Sequence, residues 1–153
     1  MRVVRGGWTQ AVGAAAVVLV ISAGVAAQGV TQETPTSVWS GVYTDEQAKR
    51  GEVVSNKLCT SCHGPDLSGG EAGPTLVGLE FIGNWNNLTV ADFYDRVQAT
   101  MPADAPGTLT AQQTSDVAAY VFKLNKFPAG KTELPTELAA LKGIKIEGAQ
   151  PGK

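Results

Sequence analysis

The sequence contains few of the side chains that usually bind metals or take part in acid–base catalysis. Its 153 residues include 2 cysteines, 1 histidine and 2 methionines. A single histidine excludes ligation of one metal by two imidazoles of the same chain. Two cysteines and one histidine are also one ligand short of a closed four-ligand zinc site.

Excess charge of one sign and aromatic side chains are scarce as well. Lys and Arg number 12 and Asp and Glu number 14, which gives a net charge of −2. Without a basic surface we expect no nucleic-acid partner. Aromatic residues make up 7% of the chain, so the sequence predicts one small domain with a limited core.

What the chain does contain is the run Cys59-Thr60-Ser61-Cys62-His63, which holds both cysteines and the only histidine. Cys-x-x-Cys-His is the attachment signature of c-type haem, in which both thiols form thioethers with haem vinyl groups. The histidine that follows is placed to bind the iron. The pattern predicts one haem c attached through Cys59 and Cys62, with His63 as an iron ligand.

Two other interpretations compete with haem attachment. A redox-active Cys-x-x-Cys needs no histidine and normally lies near a strand–helix–strand pattern, which this sequence does not show. A zinc site would need a fourth ligand, and the three candidates here are too close in sequence to form a tetrahedron.

The N-terminus has the pattern of a secretory signal. Arg2 and Arg5 precede an apolar run over residues 11–27, and Val25-Ala26-Ala27 predicts cleavage before Gln28. The alternative is that residues 11–27 remain as an uncleaved membrane anchor. Either outcome predicts a domain that is periplasmic or otherwise exported.

The remaining chain divides into a polar linker, a haem domain and an extension. Thr-led capping patterns predict three main helices. Gly51 lies inside the first helix, where glycine is costly, and this indicates close approach of another helix or an unconstrained surface position. The predicted parts are a signal peptide at 1–27, a linker at 28–42, a haem domain at 43–127 and an extension at 128–153. The predicted helices run from Thr44 to about Lys57, from Thr89 to Thr100 and from Thr110 to about Asn125, with a short one from Thr136 to Leu141.

Loops rich in glycine and proline follow the haem motif and the second helix. The first of these loops would place the Pro74 carbonyl and the Leu76 side chain on the His63 side of the haem. Met101 lies on the second loop and is the candidate for the sixth iron ligand, although a lone methionine is more commonly part of a core.

Ligation by His63 and Met101 would leave no open iron position for a substrate. A thioether ligand also raises the reduction potential, and both features are typical of an electron carrier rather than an enzyme.

Residues from Tyr43 to about Lys126 resemble the class I c-type cytochromes. The similarity is strongest to bacterial monohaem proteins and to the cytochrome domains of quinoprotein dehydrogenases. It depends on Gly51, the run from Cys59 to Gly64, Gly73-Pro74-Thr75-Leu76, Met101-Pro102 and residues 117–121.

The resemblance implies an all-α cytochrome c fold of three main helices and loops wrapped around one haem. It implies that Gly51 meets the last helix near Tyr120, and that the Pro74 carbonyl accepts the His63 Nδ1–H. Trp85 would contact a haem propionate or pack in the core. The chain departs from the family at Ser55, where an aromatic residue is common.

The function that follows is an exported carrier of single electrons between redox partner proteins, such as a dehydrogenase and a terminal oxidase or reductase. Two alternatives remain. One is a subunit of a larger dehydrogenase or respiratory complex. The other is a five-coordinate gas-binding haem protein in which Met101 does not bind iron. A membrane is a partner only if residues 11–27 are retained.

Overall fold

The computed structural model describes residues 37–152, and this part of the chain is helical and contains no β-strand. Two isolated bridges join Lys145 to Ser37 and to Thr89. The prediction of an all-α fold is confirmed. The described helices are α1 Asp45–Leu58, α2 Thr60–His63, α3 Gly78–Trp85, α4 Val90–Thr100, α5 Ala111–Leu124 and α6 Leu138–Leu141, with 3-10 turns at Val38–Ser40 and Pro65–Leu67.

Three helices begin at the predicted capping threonines. The hydroxyls of Thr44, Thr89 and Thr110 each accept a hydrogen bond from the backbone N–H three residues later. The reciprocal half of the capping box forms at Thr89 and Thr110 only. At Thr44 it is missing because the side chain of Gln47 bonds to a different part of the molecule.

Helices α1 and α5 make the most extensive helix–helix contact of the described chain, and they cross at Gly51. A Cβ atom at this position would collide with the Asp116 carbonyl and would lie 2.9 Å from the Tyr120 Cβ. The predicted close approach at Gly51 is therefore present. Ser55, one turn further along α1, is fully buried, and its hydroxyl has no hydrogen-bond partner within residues 37–152.

Helix α3 was not predicted, and it adds an aromatic layer to the core. Phe81 and Trp85 both pack against Phe93 of α4, with ring centroids 5.6 Å and 4.9 Å away. Phe93 in turn lies 5.9 Å from Phe122 of α5. These four rings join α3, α4 and α5 into one core.

The C-terminal extension packs on the helices as part of the same structure. The buried Gln47 amide donates to the Leu134 carbonyl at 3.0 Å and accepts from the Leu134 N–H at 2.7 Å. The Tyr43 hydroxyl donates to the Phe127 carbonyl at 2.7 Å. Burial raises the pKa of Tyr43 to about 12, so the phenol keeps the proton that it donates.

Residues 37–42 differ from the linker that the sequence predicted there. Val38 and Val42 are buried, and the Val38 N–H donates to the Lys145 carbonyl at 2.9 Å. The physical reason is that the extension supplies backbone acceptors for these residues, since the Trp39 indole N–H also donates to the Glu147 carbonyl at 2.8 Å. The sequence of a short polar segment does not reveal such a partner.

The predicted signal peptide, its alternative as an anchor and linker residues 28–36 lie outside the described residues. Within residues 37–152, no helix is long and apolar enough to cross a membrane. The division of the chain into four parts stays a prediction.

The crossing of α1 and α5 leads to a test by substitution. We expect Gly51→Ala to destabilise the haem-loaded protein by about 3 kcal/mol, because the new methyl group overlaps the Asp116 carbonyl. Gly83→Ala is the matched control, since a Cβ there meets nothing within 4 Å on helix α3. It should stabilise the protein by about 0.5–1 kcal/mol. Denaturant unfolding of both variants measures the difference, and equal stabilities would contradict the close crossing.

Candidate functional site

One cleft brings together four of the predicted haem-binding side chains. Cys59, Cys62, His63 and Met101 all line it, and they come from helix α2, its N-terminal junction and the loop after α4. The remaining walls are mostly apolar, and Asp104 is the one carboxylate among the lining residues. Apolar walls are contributed by Leu67, Leu76, Phe93, Val97, Leu109 and Val117, among others.

His63 is buried and its ring orientation is set by a hydrogen bond. Its Nδ1 lies 2.7 Å from the Pro74 carbonyl oxygen, and the side chain is 7% exposed. A carbonyl can only accept, so Nδ1 carries the proton and Nε2 keeps its lone pair. This is the tautomer that binds a metal through Nε2, with the carbonyl as the outer partner that orients the ring.

Glycines in the loop after His63 let the backbone lie against the imidazole. A Cβ at Gly73 would come within 3.0 Å of His63 Nδ1, and one at Gly70 would come within 2.6 Å of the Cys62 carbonyl. A larger residue at either position would push the loop away from the ring. The glycine content that indicated a loop therefore also explains how tightly the loop encloses His63.

Cys59 and Cys62 do not form a disulfide with each other, and both are partly buried. Burial raises the pKa of the Cys59 thiol. Redox-active Cys-x-x-Cys pairs show the opposite shift, toward a thiolate at neutral pH. The environment of Cys59 therefore does not match that of a redox-active dithiol.

Met101 stands at the end of helix α4, where it is the C-cap residue. Its N–H donates to the Val97 carbonyl at 2.9 Å, and its side chain is partly buried in the cleft. The helix thus fixes the backbone of Met101 while the following loop covers the cleft through Pro102 and Ala103. The placement brings the thioether to the same cleft as His63.

Trp85 packs beside the cleft, in the aromatic layer of the core. It does not belong to the cleft wall, and its ring packs edge-on against Phe93, which does. Of its two predicted roles the geometry shows core packing. The cause is the unpredicted helix α3, which turns Trp85 toward the aromatic layer.

Several residues of the site are not predicted from the sequence. Phe93 and Val97 appeared only as the apolar face of a helix, and Leu67 and Leu109 lie in loops without any periodic signal. Asn125 was placed at a helix end, yet its side chain bonds to the Leu76 carbonyl at 2.9 Å. Only the three-dimensional packing of α5 against the loop reveals that contact.

The residues present fit a covalently attached haem. The cleft has apolar walls, two adjacent thiols, a buried imidazole held in the metal-binding tautomer and a thioether. Imidazole and thioether are the axial ligand pair of c-type cytochromes. A small all-α domain with this donor set has the features of a c-type haem protein.

Comparison with known families agrees with that class. Residues 46–121, about half of the chain, match the family described as cytochrome c oxidase, cbb3-type, subunit III. No curated protein and no solved structure gives a significant match. The chain belongs to the class I c-type cytochromes, and its helical fold is the cytochrome c fold.

Membership of this family has consequences for cofactor and activity. A cytochrome c domain implies covalently bound haem c with its iron, and it implies haem-based electron transfer. Such domains are typically electron carriers and are usually exported.

Proposed function

We propose that the protein is an exported monohaem cytochrome that carries single electrons between redox partners. The haem is attached through Cys59 and Cys62, and His63 and Met101 are the two iron ligands. When bound, the haem iron supplies the one-electron ferric–ferrous couple. The single observation that carries the proposal is that these four side chains line one apolar cleft.

The chain contributes orientation and exclusion of water to this activity. The Pro74 carbonyl holds the Nδ1–H of His63, which keeps Nε2 as the donor nitrogen. Leu76 and Val117 supply apolar wall on the haem-facing side of the cleft. A low-polarity environment and a thioether ligand are two of the means by which a protein raises a haem potential.

The same geometry supports a carrier rather than an enzyme. Both axial positions are assigned to protein side chains, so a substrate would have no open site on the metal. Asp104 is the one carboxylate that lines the cleft. The lining residues therefore do not form a pair of groups for acid–base catalysis.

Met101 provides the direct test of the ligand assignment. We expect Met101→Ala to abolish the weak methionine-to-iron charge-transfer band of the oxidised protein and to lower the reduction potential, because the thioether favours ferrous iron. Met101→Leu should have the same effect with the side-chain volume nearly retained. An optical spectrum and a redox titration of each variant provide the measurement.

Leu109→Ala is the matched control for that experiment, since Leu109 is buried and lines the same cleft. It should cost stability but leave the band in place. Persistence of the band in both Met101 variants would refute the assignment. Rapid carbon monoxide binding to the reduced wild-type protein at neutral pH would favour the five-coordinate gas-binding alternative instead.

The proposed partners are redox proteins, namely a dehydrogenase as donor and a terminal oxidase or reductase as acceptor. Lys and Arg are not among the residues that line the cleft. We therefore do not propose that partners dock through a ring of lysines around the cleft. Contact through small apolar residues such as Ala72 and Ala103, which are exposed where they line the cleft, fits the observed surface.

A second candidate function is that of a subunit in a respiratory complex. The observation that favours it is the matched family, which is described as a subunit of a cytochrome c oxidase. We expect the free carrier to elute as a monomer in gel filtration of a mild-detergent extract. Elution of all its haem together with an oxidase, or with a quinoprotein that reduces it rapidly, would overturn the free carrier in favour of the subunit.

The export proposal depends on the N-terminal pattern of Arg2, Arg5 and residues 11–27. Covalent haem attachment also fits an exported domain, as is usual for the family. We expect mass spectrometry of the mature protein to show a chain that begins at Gln28. A haem-loaded chain that retains residues 11–27 would identify the segment as an anchor.

A further inference from the structure

We infer that Asn125 is a positioning residue for the iron ligand His63, and that it acts through the segment formed by residues 74–78. This inference depends on the proposed function, because the property that Asn125 controls is the strength of His63 as a haem ligand. Asn125 lies at the C-cap of helix α5, remote in sequence from the haem motif.

Segment 74–78 connects His63 to helix α3. Its first residue, Pro74, provides the carbonyl that accepts the His63 Nδ1–H. Its third residue, Leu76, lines the cleft, and its N–H donates to the Leu67 carbonyl at 2.8 Å. The position of the Pro74 carbonyl therefore depends on how firmly the rest of this short segment is held.

The Asn125 side chain holds the other end of the segment. Its Nδ2 donates to the Leu76 carbonyl at 2.9 Å, and its Oδ1 accepts from the Gly78 N–H at 2.9 Å. The second Nδ2 hydrogen bonds to the Val121 carbonyl of α5 at 2.9 Å. One amide thus bridges the segment and helix α5.

The chemistry of the position calls for an amide of this length. Two carbonyls need a donor and one N–H needs an acceptor, and the asparagine side chain supplies both from a single planar group. These partners also assign the amide orientation, because Nδ2 faces oxygens and Oδ1 faces a nitrogen. An aspartate has the same shape but has no proton for the two carbonyls.

We call the three hydrogen bonds of the Asn125 side chain the clasp. Loss of the clasp should weaken the hydrogen bond between His63 and Pro74. A bond from Nδ1–H to a carbonyl increases the basicity of the coordinating nitrogen, and a more basic ligand stabilises ferric iron. Weakening that bond therefore raises the reduction potential. A change in stability alone would not produce this effect with both ligands in place.

The test compares two neutral variants, Asn125→Leu and Asn125→Ala, in the haem-loaded protein, because a carboxylate at this position would itself favour ferric iron. We expect the ferric–ferrous equilibrium to shift toward ferrous iron by about tenfold, which corresponds to about 59 mV for a one-electron couple. Hydrogen exchange of the Gly78 amide should become about tenfold faster, because its acceptor is lost or its segment is released. Asn125→Gln retains the amide, so its ferric–ferrous equilibrium should lie between those of the wild-type protein and the Ala variant.

Asn86→Ala is the matched control. Asn86 is also a helix C-cap, and its Oδ1 accepts from the Gly148 N–H at 2.9 Å, away from segment 74–78. Asn86→Ala removes a similar hydrogen bond and should leave the reduction potential unchanged. An unchanged potential in both the Leu and Ala variants of Asn125 would overturn the positioning role, and so would an equal shift in Asn86→Ala.

The outcomes for the clasp and for the proposed function are separable. A wild-type protein without covalently attached haem would contradict the proposed function, and the exchange rate of the Gly78 amide would still test the clasp. If Asn125→Ala does not fold, the neutral Leu variant with its similar shape carries the measurement. Haem attachment with a normal potential and slow Gly78 exchange in that variant refutes the inference.

Discussion

The close crossing of α1 and α5 at Gly51 is the constraint on which the rest of the structure depends. Helix α1 leads directly into Cys59, and α5 supplies Val117 and Val121 to the cleft wall. The two helices can place these parts around one cleft only if their backbones approach closely. A glycine facing the Asp116 carbonyl permits that approach, so a conformationally costly residue inside a helix becomes a requirement of the site.

The extension adds large apolar residues to the core of a small domain that has few of them. Leu134, Ile144 and Ile146 are all buried, and they enlarge the core beyond what the three main helices provide. The polar groups they bring with them are satisfied, since Gln47 bonds to both backbone groups of Leu134. A buried backbone without such partners would cost about as much as a lost hydrogen bond.

The predictable part of the fold is local, and the unpredicted part depends on contacts between distant segments. Thr89 and Thr110 form capping boxes with residues three positions away, so sequence alone locates those helix starts. The motif at residues 59–63 carries its chemistry in its spacing, and the loop glycines beside it indicate close backbone approach. By contrast, the side-chain bonds of Gln47 and Asn125 join residues far apart in sequence. Trp85 shows the same limit, because it belongs to α3, a helix without a side-chain cap at its N-terminus.

The two proposed iron ligands, His63 and Met101, are held in different ways. This difference affects how the reduction potential is set. His63 is enclosed by a loop that is fastened at Leu67, at Asn125 and through its own hydrogen bond to Pro74. Met101 is fixed by the end of α4, and within residues 37–152 it has no comparable set of bonds beyond its own backbone. A thioether is a weak acceptor and gains little from hydrogen bonding, whereas imidazole basicity responds strongly to its outer partner. The chain therefore places its hydrogen-bond network on the ligand whose donor strength that network can change.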